Sequence, residues 1–237
     1  MYIPRGYPFY GQNIGVLVLS GTSPRVPGDA GHSATFRYPV RYEVLDAGFI
    51  DLVTGGPAVR QNIIDACLRL KGFGIRGVLG DCGLMSLYQD EIGAVTGLPF
   101  VGSSLCQIPV VWQMIGRSGS IGVLTGHAEM LGGRHLKNSG WNEDMKLSVQ
   151  GMQDEPHFAE IVIEGAGELD VNRMRLDVLN ASRKLAAKTP SLRALILECS
   201  NLAAYSADLA EALGVPVFDT ISAANLLAYS VDPDRYL

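Results

Sequence analysis

The sequence predicts an α/β protein of two lobes with related topology, each a parallel sheet flanked by helices. Three observations lead to that class. Short β-rich apolar runs alternate along the chain with helical patterns, which favours parallel strands joined by crossover helices. Two segments match in phase, so that Arg76, Asp81, Cys82, Tyr88, Gly97 and Pro99 fall on Arg193, Glu198, Cys199, Tyr205, Gly214 and Pro216 at a constant offset of 117 positions. Finally, 237 residues with 47% hydrophobic and 18% charged side chains can bury a core without disulfides or a metal.

The strand signals are Ile14–Val18, Val40–Val44, Gly77–Gly80, Phe100–Gly102, Ile121–Leu124, Ile161–Ile163, Ala194–Leu197 and Val215–Phe218. Helical spacing of apolar residues marks Ala58–Leu70, Leu84–Val95, Ile108–Ile115, Val171–Ala187 and Leu202–Leu213. A second parallel, Ile14-Gly-Val-Leu17 against Ile121-Gly-Val-Leu124, opens each half. The lobes are expected to comprise residues 1–107 with 215–237, carrying Cys82, and residues 108–214, carrying Cys199.

The charge balance narrows the partners. A net charge of -5 leaves no basic surface for nucleic acid or anionic lipid. No apolar run approaches the roughly 20 residues of a membrane helix, and Met1 to Tyr10 lacks the pattern of a signal peptide, so a cytoplasmic protein is expected. In that reducing setting the four cysteines read as catalytic or buried thiols rather than disulfides. No Cys-x-x-Cys or regular histidine spacing suggests a metal. Gly72-Phe-Gly-Ile-Arg-Gly77 spells a dinucleotide fingerprint but follows a helix and precedes a strand, the reverse of the required context, and is read as a loop.

Cys82 and Cys199 each stand at the carboxyl end of a predicted strand, where open parallel sheets bind ligands. A following helix amino terminus is expected to lower each thiol's pKa and to hold a carboxylate. Two thiols facing one carbon suit proton removal from one side and delivery from the other. The alternative is that both are small buried hydrophobes. Cys67 lies in a helical stripe with Ile63, Ile64 and Leu70 and reads as core, while Cys106 begins a helix near the cleft.

Other candidates carry bland readings too. Gly83, Leu84, Ser200 and Asn201 follow the cysteines directly, and Ser103, Ser104 and Thr125 end predicted strands, where hydroxyls bind substrate or simply cap helices. Residues Gly21 to Phe36 form a long polar connection typical of a lid, with Arg25 and Asp29 as its charged candidates. Asp81 and Glu198 are expected to point away from the pocket, because neighbours in a strand face opposite sides. His32 and His127 read as surface or capping residues, with contact to a ligand as the alternative for His127.

Three stretches give the chain a resemblance to a known family: Gly80-Asp-Cys-Gly-Leu-Met85; Leu195-Ile-Leu-Glu-Cys-Ser-Asn-Leu202 with Gly214-Val-Pro-Val-Phe-Asp219; and Pro24-Arg-Val-Pro-Gly-Asp29 with Thr35-Phe36 and Pro39-Val40. Over nearly its whole length the chain resembles the aspartate/glutamate/hydantoin racemase superfamily, nearest a racemase-like branch and the algal dimethylsulfoniopropionate lyases. The resemblance implies a pseudo-twofold fold with the active site in the cleft between lobes, and Cys82 and Cys199 as acid and base. It also implies independence from cofactors and a homo-oligomer, dimer or tetramer. Amino-acid racemases of the superfamily commonly carry Cys-Asn-Thr and Cys-Thr-His at the two sites. This chain has Cys82-Gly-Leu and Cys199-Ser-Asn, a departure that weakens aspartate or glutamate as substrate. Retention of both cysteines argues against the decarboxylase branch, which keeps one.

The expected function is a racemase or epimerase acting α to a carboxylate or hydantoin-like carbonyl of a small substrate. The alternatives are a lyase that β-eliminates after removing the same proton, and a non-catalytic protein that binds small anions.

Overall fold

The computed structural model describes residues 6–236, so residues 1–5 of the amino-terminal stretch read above lie outside it. Two four-stranded sheets, all parallel, are laid out in the same way. The first has the order β2-β1-β3-β4, from β1 (Ile14–Leu19), β2 (Val40–Leu45), β3 (Gly77–Gly80) and β4 (Phe100–Val101); the second has the order β6-β5-β7-β8, from β5 (Ser120–Thr125), β6 (Leu147–Gly151), β7 (Leu192–Leu197) and β8 (Val217–Phe218). In the first, Ile14 stands opposite Val40 and Gly77; in the second, Ile121 stands opposite Leu147 and Ala194.

Helices α1 (Phe49–Thr54), α2 (Pro57–Gly72), α3 (Gln89–Thr96), α4 (Ile108–Met114) and α5 (Gly133–Asn138) are followed by the single turn α6 (Pro156–Phe158), then α7 (Val171–Lys188), α8 (Ser206–Leu213) and α9 (Thr220–Val231). The in-phase repeat has a structural explanation. Each cysteine is followed by a 3-10 turn, Gly83–Tyr88 or Ser200–Tyr205, which runs into α3 or α8. Those helices stop at Gly97 and Gly214, whose φ of 65° and 63° is the left-handed conformation that glycine adopts without a Cβ clash. The prolines two residues later, Pro99 and Pro216, immediately precede the edge strands. The second parallel is a packing motif: a Cβ on Gly15 would meet Leu70 of α2 at 2.6 Å, and one on Gly122 would meet Leu185 of α7 at 2.8 Å. Each central strand thus carries a glycine that admits a leucine from its covering helix.

Strand β8 corrects the expected boundary. Val217–Phe218 pairs with β7 in the second sheet, and only α9 returns to the first, where Ala224, Leu227 and Val231 join a core with Ile14, Val16 and Leu79. A second correction concerns Ile161–Ile163. This apolar run forms part of a π-helical turn, Ala159–Ile163, that continues from Pro156, and the sheet position is taken by Leu147–Gly151, a half-buried edge strand with only Leu147 and Val149 as strong apolar signals. Helices α1, α5 and α9 also went unread. Gly72–Gly77 is the loop between α2 and β3.

Candidate active site

Every loop around the main cavity leaves the carboxyl end of a strand, in pairs that match between lobes. The cavity is about 330 Å³. Leu19–Gly21, Ser23 and Arg25 follow β1, as Thr125–His127 and Met130 end and follow β5; Gly48 and Phe49 follow β2, as Val162 and Ile163 follow β6. Asp81–Leu84 follow β3, as Glu198–Asn201 follow β7. Both cysteines therefore face one space from equivalent positions. Of the residues anticipated from sequence, Cys82, Cys199, Gly83, Leu84, Thr125, Ser200, Asn201 and Arg25 line it.

Ser103, Ser104 and Asp29 do not line this cavity. Ser103 caps a 3-10 turn by accepting from Leu105 N, and Ser104 Oγ donates to the Leu197 carbonyl at 2.6 Å, inside the seam between lobes. The reason is topological: the chain after β4 turns into that seam instead of toward the cavity mouth. Asp29 is 1% exposed behind the wall. It accepts from Arg25 Nη1 at 2.9 Å, Gly31 N at 2.6 Å and Asn201 Nδ2 at 2.8 Å. Arg25 Nη2 donates to Asp81 Oδ2 at 2.8 Å, and the Cys199 thiol donates to Asn201 Oδ1 at 3.4 Å. The polar connection Gly21–Phe36 thus straps across both lobes, and its arginine is held by two carboxylates.

Asp81 and Glu198 do line the cavity, contrary to the alternation argument. The ladders end at Gly80 and Leu197, so strand alternation no longer governs the next residue. Their supports are again equivalent. Asp81 Oδ1 accepts from Leu19 N at 3.3 Å; Glu198 Oε2 accepts from Thr125 Oγ1 at 2.7 Å, with a further bond from Gly126 N. Burial pushes the Asp81 carboxyl up to about 6 against the opposing pull of Arg25, and burial raises Glu198 as well.

The thiols are not activated in the way the sequence suggested. Burial raises Cys82 and Cys199 well above the ordinary thiol range, and the Glu198 carboxylate raises both further. Bonds from the Leu84 and Asn201 amides pull in the other direction but are outweighed. The elements after the cysteines begin as six-residue 3-10 turns, so the aligned dipoles of an α-helix start are not there. Burial and the neighbouring carboxylate both favour the protonated form of the two thiols.

Cys67 is fully buried core, and the Cys106 thiol donates to Gln89 Oε1 at 3.1 Å outside the cavity. His32 caps a turn by accepting from Ala34 N. His127, read as a surface or capping residue, lines the cavity, and its buried Nδ1 has no hydrogen-bond partner. Ser20, Ser23, Phe49, Met130, Val162 and Ile163 also line the cavity and were not among the site residues expected from sequence; the available signal was their place after strand ends. Among the described residues no group of three or more histidine, cysteine or acidic side chains could hold a metal, and no helix is long and apolar enough to cross a membrane.

This is the architecture of a racemase fold. The chain superposes on unliganded arylmalonate decarboxylase with a TM-score of 0.63 at 16% identity, covering 94% of each chain. On allantoin racemase from Klebsiella pneumoniae the TM-score is 0.59 at 17% identity, over 93% of this chain and 87% of the other. In sequence it is 30% identical to a dimethylsulfoniopropionate lyase of Durusdinium sp. clade D over 94% of this chain and 77% of that protein. It is 32% identical to dimethylsulfoniopropionate lyase 6 of Emiliania huxleyi over 94% of this chain, but spans only 61% of that longer relative. No family model matches the chain. At 30% identity over 77% of that protein, the chain belongs to the family of the Durusdinium dimethylsulfoniopropionate lyase, and its fold is the one shared by aspartate, glutamate and allantoin racemase structures.

Proposed function

We propose that this protein removes the proton α to the carboxylate of a small substrate and expels a β-leaving group, with Cys82 and Cys199 as the proton-transfer pair. The carrying observation is that two thiols at equivalent strand ends of two lobes line one cavity of about 330 Å³. Elimination is preferred to racemisation because the relatives at 30% and 32% identity are named as lyases, while the racemase likeness is one of fold.

For dimethylsulfoniopropionate the balance is simple. One thiolate takes the α-proton, the C–H electron pair becomes the carbon–carbon double bond, and the C–S bond breaks with its electrons on sulfur. The products are acrylate, dimethyl sulfide and the reprotonated thiol. The second thiol positions the substrate or protonates. Racemisation is the second reading, favoured by the equivalence of the two thiols, since each would then serve one face.

The purified protein is expected to release acrylate and dimethyl sulfide from dimethylsulfoniopropionate, with activity that survives chelators and dialysis. Cys82→Ser and Cys199→Ser should each cost at least about a hundredfold, and unequally, because a hydroxyl is a poor base near neutral pH. When a small carboxylate that is chiral at its α-carbon is incubated with the protein in heavy water, no α-deuterated enantiomer pair should accumulate. Recovery of both enantiomers carrying deuterium, without an unsaturated acid, would replace elimination by racemisation; turnover within about threefold in both serine variants would reject the thiol assignment.

A further inference from the structure

The cavity is symmetric in its carboxylates and asymmetric in its cations. Asp81 and Glu198 occupy equivalent sites before the two cysteines, 2% and 3% exposed. Asp81 has Arg25 at 2.8 Å, and among the described residues that arginine is the only lysine or arginine lining the cavity, already shared with Asp29. Among the described residues no lysine, arginine or histidine pairs with Glu198; its partners are the Thr125 hydroxyl and the Gly126 amide. A buried carboxylate is costly unless a positive group accompanies it.

Glu198 also stands between the thiol-bearing turns. It adjoins Cys199 in the chain, and its Oε1 lies against Gly83, where an added Cβ would collide with it. It is the foremost carboxylate acting on each of the two thiols. The walls of the cavity that Glu198 lines are largely apolar, with Leu19, Phe49, Met130 and Val162 among them. Such walls suit the methyl groups of a weakly hydrated onium, and an aromatic ring attracts one.

We propose that Glu198 is a specificity-determining residue: its uncompensated carboxylate receives the onium group of a zwitterionic β-onium carboxylate. This rests on the lyase reading and adds to it a coupling between binding and base formation. A positive charge beside Glu198 offsets that carboxylate's part in raising the neighbouring thiols, a rise that burial mainly produces, and so favours the thiolate with substrate in place. The charged or titratable side chains that line the same cavity are Cys82, Cys199, Asp81, Arg25 and His127.

The test is calorimetric binding to the full chain of 3-(trimethylammonio)propanoate and of its neutral isostere 4,4-dimethylpentanoate, which share a shape and a carboxylate. The wild type should bind the onium at least about tenfold more tightly. Glu198→Gln should bring the two affinities within about threefold, and Glu198→Asp, which keeps the charge but shortens its reach, should reduce the preference and serve if the glutamine variant does not fold. Equal affinities in the wild type would overturn the proposal, as would an undiminished preference in either variant. Failure to release acrylate from dimethylsulfoniopropionate with the preference intact would reject the lyase reading alone; acrylate release without the preference would reject the role of Glu198 alone.

Discussion

Asn201 Nδ2 donates to Asp29 Oδ2 at 2.8 Å, a bond between the turn after the second thiol and the strap that leaves the first lobe. Asp29 in turn holds Arg25, and Arg25 holds Asp81. One chain of polar contacts thus runs from Cys199 to the carboxylate beside Cys82. Asp29→Ala removes an acceptor from three donors, and the cost of stranding them is about 2 kcal/mol. The expected outcome is a lower midpoint in urea, and faster proteolytic cleavage within residues 21–36 than in the wild type. Unchanged cleavage would mean that the strap is held by other contacts.

Asp81 makes stability depend on pH with a definite sign. Its folded carboxyl titrates at about 6, above the ordinary value of 3.8, so the folded state binds the proton more tightly than the unfolded chain. Above about 6 both states are ionised and the burial cost is felt in full; between about 6 and 4 it is relieved. Stability should therefore fall as pH rises from 4 to 6, by on the order of 2–3 kcal/mol from this group. Glu198 acts in the same direction. Urea melts across this range should show the slope, and Asp81→Asn should flatten it.

Gly83 has room for no side chain, since a Cβ there would run into the Glu198 carboxylate and carbonyl. Gly83→Ala should displace Glu198, lower kcat/KM at least about tenfold and cost about 1–3 kcal/mol in stability. Gly133→Ala is the control, as nothing lies within 4 Å of its added Cβ and the site is an exposed first turn of α5. Thermal melts and kinetics of the pair should differ accordingly.

Ser104 offers the opposite pattern. Its hydroxyl is buried against the Leu197 carbonyl in the interlobe seam, and the residue does not line the main cavity. Ser104→Ala should lower stability by about 1 kcal/mol while leaving KM and kcat near their original values. A raised KM with unchanged stability would return this residue to the substrate site.

Much of the fold was legible because its signals are local and repeated. Central strands buried on both faces read as apolar runs, and the Gly-x-Pro punctuation after α3 and α8 marks the same event twice. The edge strand Leu147–Gly151 and the turn Ala159–Ile163 were interchanged because burial decides between them, and the apolar run belongs to the cavity wall instead of the sheet. The cysteines were legible for the same reason as the repeat: a strand end is a fixed place in an α/β lobe.

By itself the sequence determined two related α/β lobes, a cysteine at an equivalent strand end of each, and a long polar strap carrying Arg25 and Asp29. Tertiary structure alone decided what surrounds the thiols. Strand alternation lapses where the ladder stops, so Asp81 and Glu198 turn into the cavity and Ser104 into the seam. Residues 172 positions apart, Asp29 and Asn201, meet only when the strap crosses the cleft. Charge and burial act through space, and spacing along the chain carries no record of that distance. The upward shift of the two thiols and, among the described residues, the lack of a lysine or arginine paired with Glu198 therefore became visible only in three dimensions.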